Sequence, residues 1–292
     1  MKVSGFTFVR NAIKFDYPVV ESINSILPLC DEVVVAIGNS DDDTLGLIQR
    51  MNNPKIKIIE TIWDDTLREG GRVLADETNK ALSAVSPDSD WCIYVQADEV
   101  FHERDTPIIK EAMIKYECNI KVEGLVFEHL NFYGTYDYIA AARNWQKREV
   151  RVIRNDKKIL SWKDAMSFRI NGEKLNCIYI PATIYHYGWV KNPATQQQKR
   201  EAFEKLWHDD QYVKENIATA EVFDYNKIDS LEMFNGLHPI VMKERIASVN
   251  WKLDIDPLTM VHAIPFRYKI VNLLERLTGL EIARFKNYKL IE

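Results

Sequence analysis

Within its first hundred residues the chain alternates short apolar, β-rich runs with segments whose apolar residues recur at helical spacing. That alternation commits it to an α/β fold of parallel strands joined by crossover helices. Val3 to Val9 reads as the first strand, and Pro18 opens a helix whose Val19, Ile23, Ile26 and Leu27 share one face, with Asp16 placed to cap it. Val33-Val34-Val35-Ala36-Ile37 shows no polar alternation, so it is a strand buried on both faces. Gly38 to Thr44 is a loop leading into a helix from Leu45 to Met51, and Ile56 to Thr61 is the third strand. Gly70-Gly71 forms a turn before a helix from Arg72 to Val85, and Trp91 to Val95 is the fourth strand.

A helix from Ile108 to Tyr116 leads into a different texture, with strands near Gly124 to His129, Val150 to Ile153 and Ile178 to Tyr185, among many aromatic residues. From Pro193 the pattern is helical: Phe203, Leu206 and Trp207 mark one face, and Ile240 to Trp251 reads as a further helix. With no linker or repeat, the expected organisation is one α/β catalytic body over residues 1–190 and a helical C-terminal extension over 191–292 packed on it. The 43 acidic and 38 basic residues leave a net charge of -5, which excludes the field of a nucleic-acid binder and favours small-molecule partners. No apolar run approaches the roughly 18 residues of a membrane span. The opening Met1 to Phe6 lacks a secretory leader pattern, and a cytoplasmic location is expected. Cys30, Cys92, Cys118 and Cys177 fit no zinc or redox spacing and read as core residues.

Ligands of an open α/β sheet bind beyond the carboxyl ends of its strands. The residues there are Arg10-Asn11, Asn39 to Asp42, Trp63-Asp64-Asp65 and Gln96-Ala97-Asp98-Glu99. Carboxylates clustered at one sheet edge serve either to hold a hard cation such as Mn²⁺ or Mg²⁺ or to move protons, and the first use implies a phosphate ligand. Neither G-x-x-x-x-G-K-[ST] nor G-x-G-x-x-G follows the first strand, which counts against a P-loop ATPase and a dinucleotide-binding dehydrogenase.

The ordered set Phe8-Val9-Arg10-Asn11, Ser40 to Thr44, Asn79 and Tyr94-Val95-Gln96-Ala97-Asp98-Glu99 resembles the family 2 glycosyltransferases of the GT-A fold, over about residues 3–105 and more thinly to 190. The resemblance implies a mostly parallel sheet flanked by helices, and transfer of a sugar from a nucleotide-sugar donor to a glycan or lipid-linked acceptor, with inversion. It implies that Asp98 holds the metal, with Gln96 in the place of the motif's first Asp as a ribose or nucleotide contact and Glu99 as a secondary ligand. His186, after the last core strand, would complete the metal site. Arg10, Asn11 and Asn79 are expected at the donor. The family's acidic base-reading residue is missing after the second strand, so either that task shifts to Asn39 or Asp42 or the donor nucleotide is not uridine-based.

An inverting transfer needs a carboxylate base beyond the metal motif. Asp164, beside Trp162, is best placed by chain order, with Glu128 the second candidate. Among the basic residues between Arg143 and Lys158, Arg148 or Arg151 is expected to meet the diphosphate. His129 is a candidate for the acceptor pocket, and His102 for a turn cap. The amphipathic stretch Pro265 to Leu277, with Arg and Lys on its polar side, either packs on the body or makes a peripheral membrane contact. Two other readings compete: a catalytically silent GT-A-like module that binds sugar or a partner, favoured by Gln96 in place of Asp, and a nucleotidyltransferase, disfavoured because Phe8 to Ala12 is no Gly-rich basic loop.

Overall fold

The computed structural model describes residues 1–253 apart from 218 and 229, the single positions 255, 271 and 277, and residues 285–292. In chain order the elements are β1 (Val3–Val9), α1 (Val19–Ile26), β2 (Glu32–Gly38), α2 (Thr44–Gln49), β3 (Ile56–Thr61), α3 (Arg72–Ser83), β4 (Trp91–Tyr94), β5 (Glu99–Phe101) and α4 (Thr106–Lys115). There follow β6 (Gly124–Tyr133), β7 (Tyr138–Ala140), β8 (Arg148–Arg154), β9 (Ile159–Trp162), β10 (Ser167–Ile170), β11 (Glu173–Lys174) and β12 (Asn176–Trp189). The remainder comprises α5 (Pro193–Glu204), α6 (Asp210–Asn216), β13 (Leu231–Met233), α7 (Lys243–Ala247) and β14 (Lys289–Leu290).

The main sheet is the mixed, mostly parallel sheet flanked by helices that the strand pattern demands. Its order runs β13-β7-β6-β8-β4-β1-β2-β3, with β12 alongside β6. β3, β2, β1 and β4 are parallel, β8 is antiparallel to both β4 and β6, and β12 runs parallel to β6. Period-2 alternation divides the core into two faces. Val33, Val35, Ile37, Trp91 and Ile93 pack with Ile23 and Ile26 of α1, Ile48 of α2 and Met113 of α4. Phe6, Val34, Ala36 and Tyr94 pack on the other side with Val73 and Ala81 of α3 and Phe168 of β10. Both faces of β2 are thus buried, as its unbroken apolar run requires.

The described part of residues 191–292 is less helical than its pattern suggests. β13 pairs with β7 and β14 pairs with β12, so this stretch contributes to the sheet as well as lying on it. The helix expected from Ile240 to Trp251 is a 3₁₀ turn and the short α7, ending at Ala247. Pro265 to Leu277, apart from the single positions 271 and 277, lies outside the described residues. Among the described residues no helix is long and apolar enough to cross a membrane. Pro18, not Asp16, sits at the N-cap of α1, and Asp16 instead takes a positive φ of 50° with its carbonyl accepting from Lys191 and Arg245. Cys30, Cys92 and Cys177 are buried as expected, but Cys118 is exposed in the turn after α4.

Candidate active site

The carboxyl ends of β1 to β4 open onto a cleft of about 970 Å³. The strand ends supply Arg10, Asn11, Asp41, Trp63 and Asp98, and the facing wall is built by Glu149 and Arg151 of β8, Asp164 after β9, and α5 with the turn that follows it.

Asp98, 8% exposed, sits at the centre. Its carbonyl accepts from the Tyr187 N–H at 2.8 Å, which ties the end of β4 to β12. Its Oδ2 accepts from Lys199 Nζ at 3.1 Å, and its Oδ1 lies 3.6 Å from His186 Nε2. Burial would raise the Asp98 carboxyl, but the charge of Lys199 and the His186 ring outweigh it and hold the group well below its ordinary range. Asn131 Nδ2 donates to Gln146 O at 3.0 Å, which turns its Oδ1 to His186 Nδ1 at 2.9 Å. That contact orients the ring so that Nε2 faces Asp98.

Asp98 Oδ1 and His186 Nε2 face one another across 3.6 Å, with the Lys199 ammonium on the other carboxylate oxygen. Gly188 keeps that gap open, because a Cβ there would come within 2.6 Å of both Asp98 Oδ2 and His186 Nε2. Among the described residues no group of three or more His, Cys, Asp or Glu side chains is placed to hold a metal ion. One carboxylate and one imidazole alone would leave a hard cation to take the rest of its shell from other oxygens, as Mg²⁺-like ions do from substrate phosphates.

Glu99 is not a third metal ligand. It is fully buried, and Arg151 Nε and Nη2 donate to its two oxygens at 2.7 and 2.6 Å. His129 Nε2 and the Gln96 N–H occupy the remaining positions at 3.0 and 3.1 Å. Burial opposes its charge, yet the guanidinium and the imidazole hold the carboxyl below the usual range. Arg151 is correspondingly committed to the fold and is no diphosphate ligand. His129, kept neutral by burial, stacks on His186 with ring centroids 5.2 Å apart.

Among the described residues eight buried side-chain polar atoms have no hydrogen-bond partner, and five of them belong to residues of the cleft lining: Trp63 Nε1, His129 Nδ1, Glu149 Oε2, Gln196 Oε1 and Trp207 Nε1. These atoms are themselves shielded from solvent, so they lie behind the cleft surface that their residues help to form. Glu149 is the most perturbed of them. Burial, with Glu99 and Asp164 nearby, pushes its carboxyl up to about 8, against the opposing pull of Arg151, whose Nη1 is 3.6 Å away. Asp164 is half-buried in the same wall, and burial raises it too.

Of the expected donor residues, Arg10, Asn11 and Gln96 line the cleft. Arg10 donates to Asn39 O at 2.9 Å and Asp65 Oδ1 at 3.0 Å, while Asn11, at a positive φ of 57°, accepts from the Asp41 N–H. Gln96 Nε2 reaches Ala165 O at 3.4 Å. The others lie outside the lining. Asn39 is exposed and accepts from the Trp63 N–H, and Asp42 accepts from the Thr44 and Lys14 N–H groups. Both shape loops where a base contact was expected. Asn79 accepts from the Ser161 N–H at 2.8 Å and fastens β9 to α3. Arg148 and Glu128 pair with each other at 2.8 Å, with the guanidinium over the Tyr179 ring, so neither the phosphate contact nor the second base falls there. His102 caps a 3₁₀ turn by accepting from the Arg104 N–H.

The unexpected contributors are Glu149, Lys199, Arg200 and Trp207. Arg-Glu-Val-Arg alternation made Glu149 look like a solvated strand edge, and α5 has no sequence mark that distinguishes a cleft wall from a solvent face. His186-Tyr187-Gly188 carried a readable signal, a small residue two places after a candidate ligand.

No protein-family model and no curated protein matches the chain. Among solved structures it is similar to S. aureus TarS, with 14% identity, 70% of this chain and 39% of that chain covered, and a TM-score of 0.37. It thus spans well under half of that chain. A shorter TarS structure in complex with UDP gives 15% identity, 76% and 68% coverage and a TM-score of 0.38. A 4-diphosphocytidyl-2C-methyl-D-erythritol synthase from Anaerococcus prevotii gives 8% identity, 70% and 94% coverage and a TM-score of 0.39. Likenesses this distant carry no argument, and the architecture rests on the strand order itself.

Proposed function

We propose that the chain is a glycosyltransferase that moves a sugar from a nucleotide-sugar donor to a hydroxyl of a glycan or lipid-linked acceptor, with inversion. The observation that carries this reading is the Asp98–His186 pair, kept open by Gly188, within a cleft at the strand carboxyl ends. Asp98 and His186 would hold Mn²⁺ or Mg²⁺, which when bound offsets the charge of a leaving diphosphate.

The chain's own groups account for the rest. Arg10, whose guanidinium lies over the Trp63 ring, and Asn11 would meet the nucleoside. Asp164 accepts the acceptor hydroxyl's proton as the new bond to the sugar carbon forms, and the breaking sugar–phosphate bond leaves its electron pair on the diphosphate. Glu149, protonated at neutral pH, donates a hydrogen bond to a sugar hydroxyl. Burial of Asp164 suits it to this task by raising its proton affinity.

The test is turnover of a panel of UDP-, GDP-, CDP- and dTDP-sugars with Mn²⁺, followed by release of nucleoside diphosphate. Asp98→Asn and Asp164→Asn are each expected to lower the rate about 100-fold or more, with the fold intact by circular dichroism. Binding without turnover for every donor would leave a sugar-binding module, and no binding at all would refute the donor class.

A further inference from the structure

The cations that line the cleft differ in how far they are committed. Arg10 pairs with Asp65, Lys14 with Asp41, Arg68 with Asp210 and Arg151 with Glu99. Two on α5 stand apart. Lys199 Nζ donates to Asp98 Oδ2 at 3.1 Å and to Gly188 O at 2.9 Å, which uses two of the three donors of an ammonium. Arg200 rests over the Phe223 ring at 5.7 Å, and among the described residues no carboxylate lies within ion-pair distance of its guanidinium. Its planar fork of donors matches a phosphate.

We propose that Lys199 and Arg200 clamp the diphosphate of the donor, and that the Lys199 ammonium, already seated on Asp98, lets the diphosphate bind without a divalent ion. The inference rests on the transferase reading and specifies its donor subsite. α5 is thereby a functional wall of the cleft: Lys199 holds the phosphate nearer Asp98 and Arg200, the next residue along the helix, holds its neighbour.

Calorimetric titration of the full chain in EDTA tests this, with inorganic pyrophosphate and with UDP, GDP, CDP and dTDP as separate probes. Wild type is expected to bind pyrophosphate and at least one nucleoside diphosphate. Lys199→Met and Arg200→Met should each weaken binding about 10-fold or more, as loss of a charge-assisted hydrogen bond implies. Asp98→Asn, which frees the ammonium, should bind in EDTA as tightly as wild type or tighter. If Lys199 merely braces Asp98, then Asp98→Asn will lose as much as Lys199→Met, and the proposal falls. It falls equally if both α5 variants bind like wild type, or if wild type binds nothing in EDTA. Should the α5 variants lose pyrophosphate while no nucleoside diphosphate binds better than pyrophosphate, the clamp stands and the transferase reading fails.

Discussion

Glu149 and Glu99 show how neighbours decide the state of a buried carboxyl. Glu99 has a bidentate guanidinium and stays charged; Glu149 has the same arginine 3.6 Å away, out of hydrogen-bond reach, and holds its proton to about pH 8. Folding raises the proton affinity of Glu149 above the ordinary value of 4.5, so between those limits the native state binds more protons than the unfolded chain. Its contribution therefore favours folding less and less as pH rises from 4.5 to about 8, and levels off above. Glu149→Gln is expected to unfold at the same urea concentration as wild type near pH 4.5. Near pH 9 it should be more stable, by up to roughly 5 kcal/mol. Equal midpoints at both pH values would mean that the carboxyl ionises freely.

At the scale of elements, the cleft is assembled by a strap from the C-terminal third. Leu206 O, just past α5, accepts from the Gly71 N–H at 3.2 Å, and Arg68 pairs with Asp210 of α6 at 3.0 Å. Gly71 has a positive φ of 68°, and a Cβ there would meet Trp207 Cζ2 at 2.9 Å and Asp164 Cβ at 3.0 Å. Gly71→Ala should cost about 1–3 kcal/mol and loosen the strap from the start of α3. Hydrogen exchange would show faster amide exchange across residues 193–208 and none in β1 to β4; uniform behaviour would deny the strap its separate standing.

The same contrast explains what could be read from residues alone. Strands buried on both faces, such as Glu32–Gly38, announce themselves by composition, and a ligand site at their carboxyl ends follows from topology. Asp98 and His186 were accessible by that route. The strap was not, since Gln196, Lys199, Arg200 and Phe203 form a pattern any solvated helix shows, and their meaning depends on a contact with Gly71 well over a hundred residues away in sequence. Glu99 misled for a related reason: adjacency to Asp98 in sequence turns its side chain to the buried side of the sheet, toward Arg151.

For the whole molecule, residues 285–292 fasten the sheet at the start of β12. Lys289 N–H and Ile291 N–H donate to Leu175 O and Cys177 O, Arg169 donates to Asn287 O, and Tyr288 is buried against the α3 face of the core. Removing residues 285–292 is expected to lower stability by about 2–4 kcal/mol, a fall in Tm of about 4–12 °C by calorimetry. An unchanged Tm would show these contacts to be dispensable. The same end of the sheet carries a different opportunity. Three of the four thiols are buried, with proton affinities raised by burial, whereas Cys118 is exposed in a turn whose carbonyls at Glu117 and Asn119 accept from Arg154. Glu117 also pairs with the Met1 amine, which puts that turn at the amino end of β1, facing away from the cleft. A maleimide linker would therefore attach at one rigid point and anchor every molecule on a sensor surface in the same orientation, with the cleft turned to the flowing solution.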